Sequence, residues 1–485
     1  MYVSRKEVIL EVIYAAADAI DDTDPTAAVI ATGVLAIISI SIILIKIRYG
    51  WTWAIIAFIL TGVLQNTLVT VTGFGLLRSL DDVALAILTL FAVIDALRDR
   101  GWRWMYIPVV IGGIIVIGML RSPDVQDGLL QARQFVIPVL LVTIAIVVRQ
   151  RINMRLLLRV VTWITLAIAT WMIAESIIHA PLVNPLFVYT LEPAGSGSLR
   201  AGLPPSYISD LGPGVEWFRP GGPFFNPPIS GIFLASGVYA TMLADPDWLR
   251  RVTVPIVTIA TTLAFARAGL LLIAVVVLGV WLWERIGKVW SLAIGAVLSA
   301  VAASFFWSQG ATASHAIGLF NGLLVALRNP LGDGLGQHGY FATGSSRESS
   351  ESIAGVAFAS FGIVAVLATL ALIIAIGLYL LRRRRDEARP ALYLLGVLLV
   401  CALSESAASL RGTILLWFLT GLALYSIFSD CSVVLSGKSL MLRVGSWAQQ
   451  RTLANRTAAS TPLEPPKEPS PSDDPPNGYT VGRSG

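Results

Sequence analysis

The chain has 485 residues, of which 55% are hydrophobic and only 13% are charged, and its mean hydropathy is +0.75. A soluble domain carries about 25% charged residues, so this composition excludes a water-soluble protein and predicts an all-α, multi-pass membrane protein. The formal net charge of +5 does not indicate a nucleic-acid partner, because 18 of the 35 Lys and Arg residues lie in six short turns between apolar segments, as in oriented membrane proteins.

The first 27 residues differ from the segments that follow. Their apolar stretch contains Glu11 and Asp18 and lacks the uninterrupted core of a signal peptide. This pattern favours an amphipathic helix that lies in the membrane interface. We therefore divide the chain into this segment (1–27), a transmembrane domain (28–429) and a tail (430–485). The tail is rich in Pro, Ser and charge, and we expect it to be cytoplasmic and disordered.

The transmembrane domain is predicted to be a helix bundle with about 12–13 spans, because a spanning helix needs about 20 mostly apolar residues. Flanking snorkelling groups allow shorter helices. The apolar segments are residues 28–46, 51–71, 82–96, 105–120, 133–148, 156–175, 228–245, 252–266, 268–283, 290–308, 353–381, 390–407 and 412–428.

Six basic turns fix the predicted orientation, since Lys and Arg favour the cytoplasmic side. They contain Lys46 and Arg48; residues 98–103; Arg149, Arg151, Arg155 and Arg159; Arg250 and Arg251; Arg285 and Lys288; and residues 382–389. Alternation along the chain then places two large loops outside, at about residues 177–227 and 309–352. Long loops are where binding and chemistry are usually found.

Cysteine and histidine are scarce. Two cysteines, Cys401 and Cys431, and three histidines are present. This inventory predicts neither a disulfide framework nor a metal cluster, and the sequence contains no P-loop or dinucleotide-binding glycine motif. We therefore expect no metal and no cofactor.

Arginines on the predicted outer side run against the usual charge bias and need an explanation. They are Arg78, Arg121, Arg133, Arg200, Arg219, Arg267, Arg328, Arg347 and Arg411. We interpret Arg78, Arg121, Arg200 and Arg347 as ordinary loop solvation or headgroup contacts.

The residues that flank Arg219 and Arg267 suggest more specific roles for these two arginines. Arg219 lies in EWFRPGGPFFNPPISG, whose prolines and glycines stiffen the loop before an apolar helix. Arg267, in FARAG, separates two apolar segments. A guanidinium at that position costs a few kcal/mol unless it is paired or meets an anion, and its planar fork suits phosphate oxygens. Arg267 is thus the stronger candidate for an anion ligand.

Three segments resemble the O-antigen ligase and polymerase superfamily, in the family's order. FRPGGPFFNPPISGIFLA and FARAGLLLIAVVVLGV are similar to its two arginine segments. ALRNPLGDGLGQHGYF followed by ESIAGVAFASFGIVAVLATL is similar to its second outer loop and the helix after it. The resemblance covers residues 215–385. This chain departs from the family at Pro228, at Ala266 and Ala268, and at Glu351 and Ser352, which stand where the family usually has His-Asn.

The resemblance implies a metal-independent, inverting glycosyltransferase of the bacterial inner membrane, with its active face towards the periplasm. Its donor would be a glycan linked to undecaprenyl or another polyprenyl diphosphate, and no nucleotide sugar would be needed. Its partners would be a glycan or lipid acceptor, membrane lipid and polysaccharide-assembly proteins. Arg219 and Arg267 would hold the donor diphosphate, with Arg411 and Arg133 as weaker candidates for the same cavity.

A catalytic base for the acceptor hydroxyl has several candidates. Glu351 occupies the place of the family's histidine, and loss of its basicity in Glu351→Gln would abolish transfer. An acid at that position would also serve the amino terminus of the next helix, in the polar run RESSES. His338, in GLGQHGYF, is the chief alternative, followed by His315.

The sequence leaves two classes of function open, a glycosyltransferase and a transporter. Polymerisation is slightly preferred over ligation because it needs no second specialised acceptor. The alternative from another class is a transporter or flippase of a lipid-linked or anionic solute. A transporter would show repeated halves and ionisable groups at the bilayer midplane, whereas this chain concentrates its polar residues in two unequal loops.

Overall fold

Fifteen α-helices, one two-stranded sheet and several short 3-10 helices lie in the described part of the chain, residues 25–98, 105–191, 199–212, 215–244, 246–287, 310–339, 352–382 and 388–435 of a computed structural model. The helices are α1 (Pro25–Tyr49), α2 (Trp51–Thr72), α3 (Leu80–Arg98), α4 (Tyr106–Leu120), α5 (Val125–Val148), α6 (Met154–Ile178), α7 (Leu186–Thr190), α8 (Pro227–Leu243), α9 (Asp247–Leu263), α10 (Arg267–Arg285), α11 (Gly310–Arg328), α12 (Ile353–Phe361), α13 (Ile363–Arg382), α14 (Arg389–Leu403) and α15 (Leu410–Leu435). Strands β1 (Ile208–Gly212) and β2 (Val215–Phe218) form an antiparallel hairpin.

The helices have the length and composition of a multi-pass membrane protein. Within the described residues, seven are long and apolar enough to cross a membrane: α1, α2, α5, α6, α10, α13 and α15. Four shorter apolar helices accompany them: α4, α8, α11 and α14. The predicted helical class is therefore confirmed, while the count of 12–13 spans stays a prediction.

Small residues bring α8 and α10 into close contact. A Cβ added at Gly269 of α10 would lie 2.4 Å from the carbonyl oxygen of Gly231 on α8, so only glycine permits this approach. A Cβ added at Gly231 would in turn meet Ala266 at 2.0 Å. Membrane helices commonly pack through such residues. The contact fixes the start of α10, and with it Arg267, against α8.

Polar contacts distinguish the two ends of the bundle. At one end, which we call the basic end, Asp95 of α3 accepts a hydrogen bond from Trp51 Nε1 at 2.7 Å and pairs with Lys46 and Arg151. These contacts join the turns for which the sequence predicts a cytoplasmic location. At the other end, which we call the site end, α2 and α6 finish and α3, α8, α10 and α15 begin.

The structure corrects two predicted segments. The single span at 353–381 is two helices, α12 and α13, separated at Gly362, whose φ is +64°. The predicted loop 309–352 begins with a helix, α11. This helix packs directly against α12 through Gly322 and Gly355, where a larger side chain would not fit. The segments 1–24, 288–309 and 436–485 lie outside the described residues, and so do the expectations for the amphipathic start, the span at 290–308 and most of the tail.

Candidate functional site

Arg219 is positioned by the β1–β2 hairpin. The register pairs Ile208 with Phe218 and Ser209 with Trp217. The backbone N–H of Arg219, the next residue after β2, donates to the carbonyl oxygen of Tyr207 at 2.8 Å. Tyr207 is fully buried, so the hairpin holds the backbone of Arg219 against the body of the protein. The sequence analysis predicted a stiff loop here but not a hairpin.

Two side chains of the hairpin close the carboxyl end of α9. Arg219 donates from Nε to the carbonyl oxygen of Ala264 at 2.8 Å and from Nη2 to that of Phe265 at 3.4 Å. Trp217 donates from Nε1 to the carbonyl oxygen of Leu263 at 3.0 Å. The last carbonyls of a helix have no intrahelical donor and attract positive charge. Arg219 therefore stabilises the turn between α9 and α10 in addition to any role with a ligand.

Arg219 and Arg267 form an arginine pair at the site end. Burial, and secondly the charge of Arg267, lower the pKa of Arg219 to about 10, so it remains protonated at neutral pH. Arg267 is the first residue of α10 and its side chain is exposed, because α8 packs on Ala266 and Gly269 instead. Within the described parts of the chain, the Arg267 guanidinium has no acceptor. The amino end of α10, which no side chain caps, adds to this positive potential.

A buried carboxylate anchors the turn that follows Arg219. Glu175, at the end of α6, is fully buried. Its oxygens accept hydrogen bonds from Gly222 N at 2.9 Å, Trp171 Nε1 at 2.9 Å and Leu182 N at 3.1 Å. Three donors satisfy this carboxylate without a cation. Glu175 was not predicted, because its only signal in the sequence is an acid near the end of an apolar segment.

Arg411 is connected to the same loop through Asn66. Its Nη1 donates to Asn66 Oδ1 at 3.0 Å, and Asn66 Nδ2 donates to the carbonyl oxygen of Phe224 at 2.7 Å. Its Nε also lies 3.9 Å from Asp81 Oδ2, and Asp81 is buried. Arg411 thus already has a protein acceptor in Asn66 and an acid nearby, so it fits an anion ligand less well than Arg267 does.

Arg133 is also paired with an acid. Its Nη2 lies 2.6 Å from Asp82 Oδ2, and its Nε lies 3.3 Å from Asp82 Oδ1. Asp81 and Asp82, two consecutive acids at the start of α3, therefore face two of the predicted cavity arginines. Neither acid was predicted from the sequence.

His338 lies on a glycine-rich turn with a fixed shape. Four of its glycines, Gly332, Gly334, Gly336 and Gly339, have φ values of +73°, +92°, +84° and +99°, which other residues rarely adopt. The turn is held at Leu335, whose N–H donates to the carbonyl oxygen of Gly118 on α4 at 3.0 Å. His338 Nε2 lies 3.0 Å from Asp333 Oδ2, so the two residues form a dyad that the sequence analysis missed.

Of the remaining predicted residues, some have contacts within the protein and others lie outside the described residues. Arg78 and Arg121 donate to backbone carbonyls, of Leu191 and Leu331, and Arg200 binds Asp210 and Glu216. Arg328 ends α11. Glu351 and Arg347 lie outside the described residues, as does the side chain of His315, whose backbone belongs to α11. Ser352, next to Glu351, caps α12 by accepting from Gly355 N at 3.1 Å.

An apolar cavity of about 930 Å³ extends between α4, α5, α10, α12, α13 and α14. Its wall on α10 includes Leu271, Ala274, Leu278 and Leu282. These positions follow Arg267 at helical spacings of three or four residues, so they share its face of α10. The cavity therefore begins one helical turn from an arginine that has no protein acceptor among the described residues.

The fold and the site together define a multi-pass helical membrane protein with an anion-binding candidate at the head of an apolar cavity. Comparison of the chain with protein-family models, with curated proteins and with solved structures finds no match.

Proposed function

We propose that the protein is a glycosyltransferase that polymerises or ligates polyprenyl-diphosphate-linked oligosaccharides at the outer face of the membrane. The observation that carries the proposal is the arrangement on α10. Arg267, beside Arg219, lies one helical turn from the apolar cavity and on the same helical face. A ligand for this arrangement has an anionic head and a long apolar chain.

The arginine pair suits the head of such a donor. The neighbouring guanidinium groups of Arg219 and Arg267 repel each other, and this repulsion is the second cause, after burial, of the lowered pKa of Arg219. A diphosphate would remove it, and the fork of Arg267 could bind two phosphate oxygens. Fixed donors of this kind also stabilise the negative charge that develops on a leaving diphosphate.

The cavity suits the chain of the donor. Its lining is almost entirely aliphatic and aromatic, with Gln134 and Thr369 among the few polar residues. Transfer of apolar surface from an aqueous to an apolar site is favourable by about 25 cal/mol per Å². Because the surrounding lipid is also apolar, the cavity contributes mainly alignment: it would direct the chain along α10 and the diphosphate towards Arg267.

The chemistry of transfer needs one bond to form as another breaks. The acceptor oxygen attacks the anomeric carbon from the face opposite the diphosphate, so the configuration inverts. The bond between that carbon and the diphosphate oxygen breaks, and its electron pair stays on the diphosphate beside Arg219 and Arg267. The acceptor's proton passes to a base, for which we propose His338 because its ring is already oriented by Asp333.

The proposed location is the bacterial inner membrane, with the site end facing the periplasm. The basic end carries Lys46 and Arg151, together with Arg285 and Arg389 of the turns predicted to be cytoplasmic. The positive-inside rule then orients the site end outwards. A bundle of 12–13 spans with a cytoplasmic tail is part of this proposal.

The test supplies purified protein in detergent with a labelled polyprenyl-diphosphate oligosaccharide. A ladder of products indicates a polymerase, and one shifted acceptor band indicates a ligase. Arg267→Ala should lose this activity, whereas Arg285→Ala, at the basic end of the same helix, should retain it. Movement of intact donor across liposomes without bond formation would overturn the proposal in favour of a transporter.

A further inference from the structure

We propose that Asp333 is a positioning residue, which holds the imidazole of His338 so that Nδ1 accepts the proton of the acceptor hydroxyl. The inference rests on the proposed function and adds to it a residue, Asp333, to which the resemblance assigned no role. Its basis is the geometry of the glycine-rich turn.

Asp333 is itself held by its neighbours. Its Oδ1 accepts a hydrogen bond from Asn329 Nδ2 at 2.9 Å, and its backbone N–H donates to the carbonyl oxygen of Ala359 at 2.8 Å. Its own carbonyl oxygen accepts from Gln337 Nε2 at 2.7 Å. The carboxylate therefore has a defined direction, with Oδ2 left for His338.

The backbone of His338 is held from α5. Gln131, which is 1% exposed, donates from Nε2 to the carbonyl oxygen of His338 and accepts from the N–H of Gly336. The buried side-chain amide of Gln131 is thus hydrogen-bonded to the backbone of the turn on both sides of Gln337. The side chains of Asp333 and His338 meet because the backbone between them turns sharply at Gly334 and Gly336, both of which have positive φ. Their spacing in the sequence does not predict this contact.

The chemistry of the dyad determines which nitrogen is basic. An ionised carboxylate only accepts hydrogen bonds, so the nitrogen that faces Asp333 must carry the proton. In the neutral ring the lone pair is then on Nδ1, which has no partner among the described residues. The His338 side chain is not fully enclosed, with 14% of its surface exposed. A base held in this way typically contributes about 10²- to 10⁴-fold to the rate.

A purely structural ion pair would make different predictions. If the pair only stabilised the turn, its loss would lower the unfolding temperature and donor binding together. A positioning role instead changes the ring tautomer and kcat while KM for the donor remains. The measurement must therefore report on the ring itself as well as on turnover.

The test uses the full-length protein labelled with ¹⁵N-histidine, since the chain has only three histidines. His179→Gln, His315→Gln and His338→Gln assign the ring signals. In the unaltered protein at a pH where the ring is neutral, His338 should show a protonated Nε2 and an unprotonated Nδ1. Asp333→Asn should give mixed tautomers and a kcat about 10²-fold lower, with KM and donor binding unchanged. Asp333→Glu should restore part of both signals.

The outcomes separate the inference from the proposed function. An unchanged tautomer in Asp333→Asn, or a changed tautomer with unchanged kcat, overturns the inference. If Asp333→Asn does not fold, Asn329→Ala, which removes the second hydrogen bond of the carboxylate, should give a smaller shift in the same direction, and no shift counts against the inference. If the unaltered protein transfers no sugar but its tautomer depends on Asp333, the proposed function fails and the dyad stands.

Discussion

Arg219 Nε donates a hydrogen bond to the carbonyl oxygen of Ala264 at 2.8 Å, so the same guanidinium closes α9 and stands beside Arg267. The two arginines of the pair therefore differ. Arg219 is bound to protein carbonyls, whereas the side chain of Arg267 has no acceptor in the described parts of the chain. Substitutions should separate their roles in stability from their roles in binding.

Arg267→Lys should be nearly as damaging as Arg267→Ala. Lysine keeps the charge but replaces a planar fork with a compact ammonium, so two-point contact with phosphate is lost. We expect kcat/KM with labelled donor to fall about 10- to 100-fold, which corresponds to about 1.5–3 kcal/mol for one charged hydrogen bond. Both variants should unfold at the temperature of the unaltered protein. Full activity of Arg267→Lys would show that only positive potential matters.

Arg219→Ala should reduce stability as well as activity. It leaves the carbonyl oxygen of Ala264 without its donor and removes the weaker of two hydrogen bonds to that of Phe265, which the N–H of Arg267 also donates to. A hydrogen bond to a charged group contributes about 1.5–3 kcal/mol. Thermal unfolding in detergent should show a lower midpoint for Arg219→Ala than for Arg267→Ala. Equal midpoints would contradict the helix-closing role.

Ala274→Trp should narrow the cavity below the arginine pair. Ala274 lines the cavity on the face of α10 that Arg267 begins. Activity with a long-chain donor should fall about 10-fold or more, since the displaced chain can no longer align its diphosphate with Arg267. A donor with a short prenyl chain provides the control in the same variant and should be used almost normally. Equal loss with both donors would mean that the substitution disturbs the helices instead.

The orientation predicts which introduced cysteines an impermeant reagent can reach. With Cys401 and Cys431 replaced, cysteines at Gly197 and Gly344, in the two predicted outer loops, should react from outside intact cells. Asp247→Cys, at the first residue of α9 at the basic end, should react only after the membrane is opened. The reverse pattern at either glycine would invert the proposed active face.

The helices were predictable because lipid requires every spanning segment to be apolar and internally hydrogen-bonded. The hairpin that carries Arg219 was not, because its strands are short and its register depends on contacts with Tyr207 and the turn after α9. The break at Gly362 escaped prediction for a similar reason. The residues on both sides are apolar, and the cause is the close approach of Pro330, whose carbonyl oxygen would lie 2.2 Å from an added Cβ.

The site was predictable at its arginines and not at its acids. Arg219 and Arg267 stand out because arginine is unusual on the predicted outer side. Glu175, Asp81 and Asp333 gain their meaning from partners that are distant in the sequence: Gly222 for Glu175, Arg411 for Asp81 and Ala359 for Asp333. One sequence contains no signal for such pairs.

The identity of the base can be decided by two substitutions. His338→Ala should reduce kcat about 10²- to 10⁴-fold and spare donor binding, because it removes the proton acceptor but leaves the arginine pair and the cavity intact. Glu351→Gln should retain most activity, because in the proposed mechanism His338 and not Glu351 accepts the proton. Turnover and equilibrium binding of labelled donor should be measured for both variants. Loss of transfer in Glu351→Gln, with normal activity in His338→Ala, would assign the base to Glu351 and overturn the role of Asp333. If both variants remained active, leaving-group stabilisation by Arg219 and Arg267 would have to account for catalysis without a base.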